Sequence, residues 1–175
     1  MTKYFAFVDE NKEGIYRLGL VAIPDHAITE VRTAMKSLRL KGQRRIHMAK
    51  ESDSRRKAII DRILRLESWN CLIIESKIRD IDDVQIRQRL FLLAAQHPVW
   101  KQIDKLIVED STDSSRDRRT LAWLQKHSTH WFTYSFEKPH ADPALWLADA
   151  VLWAYSKGSH NRRMVSHRLE VLKGP

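Results

Sequence analysis

The most informative chemical group in this sequence is a carboxylate inside an apolar segment. Asp149 is the only charged residue in "ALWLADAVLWAY", residues 144–155. On a helix, leucines and tryptophans lie one turn before and one turn after Asp149, so it has no polar face. Burial of an unpaired carboxylate is costly. The pattern therefore predicts a partner for Asp149, which is a cation, a hydrogen-bond donor or a metal ion.

Two further segments place adjacent carboxylates at the end of an apolar strand. "YFAFVDE" ends on Asp9 and Glu10, and "KLIVEDS" places Glu109 and Asp110 directly after three aliphatic residues. Successive side chains of a strand point to opposite faces of the sheet. We therefore expect one acid of each pair at the site and the other away from it. The strand pattern alone does not choose between Glu109 and Asp110.

Acids from three separated segments are the groups that a site for hard divalent cations requires. Mg²⁺ prefers oxygen ligands and is typically bound by one or two carboxylates plus a substrate phosphate. Two such ions about 3.5 to 4 Å apart can activate a water molecule and stabilise the leaving oxygen in phosphodiester hydrolysis. The alternative is structural, since acids at strand ends also cap helices or pair with arginine.

The charge of the chain favours a polyanionic partner. Thirty-one Lys and Arg residues against 22 Asp and Glu give a formal net charge of +9. An excess of this order indicates attraction to nucleic acid, although solubility alone also accounts for it. The charge is concentrated at residues 37–57, where eight basic residues accompany Glu51 and Asp53.

We expect this basic segment to contact phosphates, with a solvated helix surface as the alternative. The candidate nucleic-acid-binding residues are Arg44, Arg45, His47, Lys50, Arg55 and Arg56. His47 can also assist proton transfer or contact the substrate.

Cysteine usage and hydropathy predict a cytoplasmic protein that does not contact membranes. The single cysteine, Cys71, lies in the apolar stretch "NCLIIES", which predicts a buried reduced thiol in a reducing compartment. No apolar run approaches the ~20 residues of a membrane span. Asp9 and Glu10 interrupt what would be the apolar region of a signal peptide.

The order of the elements predicts an α/β fold with a mixed sheet. "YFAFVDE" and "IYRLGLVAIP" form a predicted hairpin across "NKEG". Helical patterns follow at 26–40 and after Ser52 or Ser54 as N-cap. Strands are then predicted at 69–78, 104–111 and 131–137, and helices at 81–96, 117–127 and 143–157. This order indicates a single domain over residues 1–175, with helices packed on the sheet. From about residue 158 we expect a basic helix or a loose tail, and we expect most of the six tryptophans in the core.

These segments resemble a widespread, mostly prokaryotic family of uncharacterised proteins with a ribonuclease H-like fold. In that family an N-terminal strand reads Val-Asp-Glu-Ser-Gly and a late helix reads Leu-Gln-x-Ala-Asp. The matching stretches are "FVDEN" (7–11) and "PALWLADAVLWA" (143–154), and the order of elements agrees over nearly the whole chain. The resemblance implies that Asp9, Asp149 and an acid of "IVEDS", for which we prefer Glu109 to Asp110, bind Mg²⁺ or Mn²⁺ in a nuclease-like centre.

The sequence departs from that family in its motifs and in one expected acid. Asn11 and Lys12 replace the family's Ser-Gly, and a tryptophan or leucine stands for its glutamine. Where the family often carries a glutamate near a histidine, this chain reads "RRIHMAKE". Glu51 and Glu75 are possible substitutes for that glutamate.

Two hypotheses follow from the sequence. The first is a metal-dependent nuclease that cuts phosphodiester bonds, which the acid in "WLADAVLW" favours. The second is a non-catalytic module on the same fold that binds nucleic acid or a partner protein, which the arginines of "RRIH" favour, because an incomplete acid set weakens catalysis.

Overall fold

A computed structural model describes residues 2–174 of the chain. The strands are β1 (Tyr4–Asn11), β2 (Tyr16–Pro24), β3 (Asn70–Ser76), β4 (Ile103–Glu109), β5 (Thr133–Glu137) and β6 (Leu169–Lys173). The helices are α1 (Ile28–Leu38), α2 (Asp53–Leu64), α3 (Asp83–Ala94), α4 (Ser114–His127), α5 (Pro143–Ser156) and α6 (Ser159–Val165). The strands form one mixed sheet in the order β5-β4-β1-β2-β3-β6, which confirms the predicted α/β class.

The predicted hairpin forms the centre of this sheet. β1 pairs antiparallel with β2 on one side and parallel with β4 on the other. Gly14 lies in the connecting turn with φ +70°, a conformation that glycine adopts without a steric penalty. Farther along, the Ser52 hydroxyl accepts the Arg55 N–H at 3.4 Å, so α2 begins after Ser52 rather than Ser54.

The helices cover both faces of the sheet and divide the core in two. Phe7 and Ile107 point to the face covered by α1, α2 and α5. Val8 and Val108 point to the face covered by α3 and α4. This alternation along β1 and β4 decides which of two adjacent acids lies on which face of the sheet.

α5 packs closely on the sheet because β2 carries a glycine beneath it. A Cβ atom at Gly19 would lie 3.2 Å from a methyl group of Leu152 on α5. Nearly all of α5 is buried, as its apolar composition predicts. The close contact holds the central part of α5, which contains Asp149, against the middle of the sheet.

The C-terminal segment begins with the basic helix that was one of the two expected alternatives, but it continues into a strand that was not expected. It forms the short helix α6 and then β6, which pairs parallel with β3 from Cys71↔Leu169 onward. Leu169 and Leu172 pack on opposite cores, and this alternation of faces stabilises a strand at the edge of the sheet. The segment is short and mostly polar, so its strand pattern is weak in the sequence.

The cysteine and most of the tryptophans are at least partly buried, as the sequence predicted. Cys71 is a buried free thiol, as predicted, and burial raises its pKa to about 12. Four of the six tryptophans are buried or half-buried, whereas Trp123 and Trp131 are exposed. Within residues 2–174, no helix is long and apolar enough to cross a membrane.

Candidate active site

The pairing of β1 with β4 places two of the predicted acids next to each other. Val8 pairs with Val108 in parallel register, so Asp9 and Glu109 follow on neighbouring strands at the same edge. Both belong to the face covered by α5, because they continue the alternation of Phe7 and Ile107. The structure thus selects Glu109 from its pair. Asp110 is exposed, and its backbone N–H donates to the Glu137 carbonyl at 2.7 Å.

Asp149 of α5 reaches the same region and has the hydrogen-bond donor that its burial requires. Its Oδ2 accepts the backbone N–H of Met48 at 2.7 Å, where a 3-10 turn, Met48–Lys50, begins. Asp149 and Asp9 line one cavity of about 200 Å³ together with His47 and Trp153. Two of the three predicted ligands therefore line the same small cavity.

Burial and mutual repulsion act against ionisation of these carboxylates. Burial, followed by the charges of Asp149 and Glu109, raises the pKa of Asp9 well above its usual value. Burial raises the pKa of Asp149 to about 6 despite the Met48 N–H. The pKa of Glu109 is also raised, first by burial. Such a concentration of negative charge favours uptake of a proton or a cation.

A cation of the chain already lies among these acids. Arg45 Nη1 is 3.3 Å from Glu109 Oε2. The arginine charge opposes the effect of burial on the pKa values of both Glu109 and Asp149. We predicted Arg45 as a phosphate contact, and its pairing with Glu109 was not foreseen. The signal in the sequence was the arginine in "RRIH", where the family has a glutamate.

Glu10 lies in a different environment from its neighbour Asp9. Its carboxylate accepts the Tyr16 hydroxyl and is 2.6 Å from Arg87 Nη1. Burial works to raise the pKa of Glu10, but the Arg87 charge and the Tyr16 hydrogen bond outweigh it and lower the pKa. Arg87 also contacts the buried carboxylate of Asp117 at 2.9 Å. Glu10 is therefore a structural ion-pair partner, although it borders the cavity.

His47 contributes an imidazole to the cavity. Its pKa is lowered by burial and then by the charges of Arg45 and Lys50, so the ring is neutral at pH 7. Within the described part of the chain, its buried Nδ1 atom has no hydrogen-bond partner. A neutral imidazole with an unused ring nitrogen can accept or donate a proton, or bind a substrate oxygen.

The other candidate nucleic-acid-binding residues divide into two groups. Arg44 and Lys50 are exposed, with Arg44 Nη2 3.2 Å from His140 Nε2. Arg55 and Arg56 instead support the turn before α2. Arg56 Nε donates to the Met48 carbonyl at 2.9 Å, and Arg55 Nε is 3.3 Å from Glu51. These two side chains thus help to hold the backbone whose N–H binds Asp149.

The two possible substitutes for the missing glutamate lie in ion pairs. Besides Arg55, Glu51 accepts a hydrogen bond from Gln43 Nε2 at 3.1 Å, and its charge contributes to the raised pKa of Asp149. Glu75 is 3.3 Å from Arg17 and accepts the Tyr155 hydroxyl at 3.4 Å. Neither residue lines the cavity that Asp9 and Asp149 share.

Sequence reasoning missed one further acid at this edge of the sheet. Glu137 ends β5 and pairs in parallel register with Glu109. Three neighbouring strands thus carry carboxylates at or near their C-terminal ends, at Asp9, Glu109 and Glu137. The signal was present in "WFTYSFE", which ends on an acid as the other two strands do.

Two of the three acids, Asp9 and Asp149, are placed to bind one divalent ion together, whereas Glu109 is not. Among residues 2–174, no three carboxylate, imidazole or thiol groups are arranged as a metal site. Asp9 and Asp149 nevertheless line one cavity and repel each other, and two carboxylates suffice for Mg²⁺ when a substrate phosphate supplies further oxygens. Glu109 is paired with Arg45, so it is available as a metal ligand only if this ion pair breaks.

The fold is similar to that of two archaeal ribonucleases. Ribonuclease H2 from Pyrococcus horikoshii OT3 matches with a TM-score of 0.58 and 14% identity, over 86% of this chain and 70% of that chain. Ribonuclease HII from Archaeoglobus fulgidus, solved in complex with PCNA, matches with a TM-score of 0.57 and 13% identity, over 94% and 75% of the two chains. The chain therefore has a ribonuclease H-like fold. No protein-family model matches the chain, and no curated protein matches its sequence.

Proposed function

We propose that this protein is a divalent-metal-dependent nuclease that hydrolyses phosphodiester bonds, and that it belongs to the uncharacterised family that its two motifs resemble. One observation carries the proposal. Asp9 at the end of β1 and Asp149 in the middle of α5 line one small cavity and raise each other's affinity for positive charge. The ribonuclease H-like fold and the basic charge of the chain support it. A cytoplasmic location is part of the proposal and rests on the sequence alone.

Each residue has a definite task in this proposal. Asp9 and Asp149 hold Mg²⁺ or Mn²⁺, which supplies Lewis-acid activation of water and of the phosphate. His47, which lines the cavity, accepts or donates a proton through its imidazole. Arg44 and Lys50 bind backbone phosphates outside the cavity. Glu10 and Asp110, which the sequence also suggested as catalytic, have no task here.

Cleavage assays with carboxylate variants test this proposal. RNA, DNA and RNA–DNA hybrid substrates are incubated with Mn²⁺ or with EDTA. We expect cleavage of at least one substrate with Mn²⁺, none with EDTA, and loss of cleavage in Asp9→Asn and in Asp149→Asn. Asp110→Asn is the matched control, because Asp110 is exposed on the same sheet edge. Unchanged cleavage by Asp149→Asn would refute the proposal.

The pairing of Arg45 with Glu109 favours a second candidate function. If Arg45 permanently replaces a metal ion, the protein is a non-catalytic module that binds nucleic acid or a partner protein through its basic surface. Nucleic-acid binding would then weaken with salt but would not respond to EDTA. Binding with no cleavage by wild-type protein in Mn²⁺ supports this candidate over the nuclease.

A further inference from the structure

A second large cavity lies on the opposite side of the sheet from the acidic centre. It is a groove between α3 and α4 with a volume of about 510 Å³. Cavities of roughly 300 to 1,000 Å³ are typical of small-molecule sites. The groove is lined in part by the polar or aromatic side chains of Gln85, Gln88, Arg116, Arg119 and Trp123.

Trp123 offers an aromatic surface to this groove. It is 53% exposed, which is unusual for a tryptophan on a helix that packs against a sheet. His127, one turn later on α4, stacks on the indole with ring centroids 4.4 Å apart and an interplanar angle of 21°. The stack covers one face of the indole and leaves the remainder of the ring at the groove, where a planar ligand can stack.

Two arginines place positive charge on the α4 side of the groove. Arg116 and Arg119 lie on the groove side of α4, one turn apart. The acids that line the groove are already engaged, since Asp82 accepts the Gln85 backbone N–H at 2.8 Å and Asp117 pairs with Arg87. Within residues 2–174, neither guanidinium has a hydrogen-bond acceptor or ion-pair partner. Both remain available for an anion.

We propose that this groove binds a nucleoside phosphate. The base stacks on Trp123, the phosphate binds Arg116 and Arg119, and the side-chain amides of Gln85 and Gln88 can bond to the base edge. Stacking surface, planar guanidinium donors and amide groups together fit this ligand class better than an inorganic anion or an apolar molecule. The site goes beyond the proposed nuclease activity, because it shares no residue with the acidic centre.

Fluorine NMR of the full chain labelled with 5-fluorotryptophan tests this site. The Trp123 and Trp131 resonances are assigned with Trp123→Phe and Trp131→Phe. The protein is then titrated, in EDTA, with the four nucleoside monophosphates, with adenosine, with inorganic phosphate and with a short single-stranded oligonucleotide. We expect a saturable shift of the Trp123 resonance with a monophosphate or the oligonucleotide and none at Trp131, which is exposed but lies outside the groove.

A charge variant and its control make the test specific. Arg116→Gln with Arg119→Gln should weaken binding about tenfold or more, because charged hydrogen bonds to the phosphate are lost. Arg118→Gln should not weaken binding, because the Arg118 Cζ atom lies 4.3 Å from the centroid of the Phe136 ring and outside the groove. Unchanged resonances of the other tryptophans show that each variant is folded.

Every outcome bears on the proposal. A shift with monophosphates alone indicates a free nucleotide as ligand, and a stronger response to the oligonucleotide indicates a strand. The proposal is overturned by an equal shift with inorganic phosphate, by unchanged affinity in the double variant, or by no response to nucleotides or strand at millimolar concentration. Because EDTA is present, failure here leaves the nuclease proposal untouched.

Discussion

Asp149 is held in a position where its ionisation destabilises the metal-free protein. Burial raises its pKa from 3.8 to about 6, so the native state binds more protons than the unfolded state between these pH values. The contribution of Asp149 to the stability of the metal-free protein therefore falls as pH rises from about 4 to about 6 and is constant above that.

Replacement of Asp149 by asparagine should remove this penalty. Asparagine keeps an oxygen that accepts the Met48 N–H. In EDTA at pH 8, we expect Asp149→Asn to raise the free energy of unfolding by about 3 kcal/mol, with little gain at pH 4. Urea unfolding at both pH values measures the difference, with Asp110→Asn as control. An equal gain at both pH values would show that the pKa shift is not its cause.

Arg45 should compete with a metal ion for the acids. In Arg45→Gln the positive charge beside Glu109 is lost, which leaves this carboxylate available as a further ligand. We expect Mn²⁺ to raise the thermal unfolding midpoint of this variant more than that of the wild type. Arg44→Gln is the matched control, since Arg44 is exposed and one residue away. A smaller response in Arg45→Gln would show that Arg45 helps rather than hinders the ion.

At the scale of elements, the ends of β1 and β4 explain why the site was partly predictable. Acids that directly follow apolar strands are visible in sequence, and parallel neighbours must place such ends together. The strand pattern left Glu109 and Asp110 as alternatives, and the pairing of β4 with β1 shows which of them lies on the face of Asp9. The pairs of Arg45 with Glu109 and Arg87 with Glu10 join residues 64 and 77 positions apart. Local patterns carry no signal for such contacts.

Arg87 of α3 forms ion pairs that fix Glu10, the neighbour of Asp9. Arg87 is 3% exposed and contacts both Glu10 and Asp117, so its removal leaves two carboxylates without their cation. We expect Arg87→Met to lower the free energy of unfolding by about 3 to 5 kcal/mol. Chemical denaturation measures the loss, with Arg89→Met, an exposed position of the same helix, as control. A loss no larger than that of the control would contradict a structural role for this pair.

At the scale of the whole molecule, the order of elements was the strongest sequence signal. A hairpin followed by alternating helices and strands predicted the mixed sheet, and the ribonuclease H-like fold is confirmed by the two archaeal structures. The resemblance of two short motifs had suggested the same fold. β6 was missed because it is only five residues long and is stabilised by pairing with the edge of β3, which the sequence of that segment does not describe.

With a net charge of +9, the proposed nucleic-acid binding should depend on salt. If Arg44 and Lys50 bind backbone phosphates, Arg44→Gln with Lys50→Gln should weaken binding equally for different sequences. It should also lower the slope of log affinity against log salt by about 2. Fluorescence anisotropy with a labelled oligonucleotide at several salt concentrations measures both. An unchanged slope would place the phosphate contacts elsewhere on the surface.

In the proposed nuclease, Asp9 and Asp149 hold a divalent ion. Thermal unfolding with Mn²⁺ and with EDTA, for wild type, Asp149→Asn and Asp110→Asn, tests this claim most directly. We predict that Mn²⁺ raises the midpoint of the wild type and of Asp110→Asn, because ion binding to the native state stabilises it, and leaves Asp149→Asn unchanged. An equal response of all three proteins, or no response in any of them, would contradict the claim.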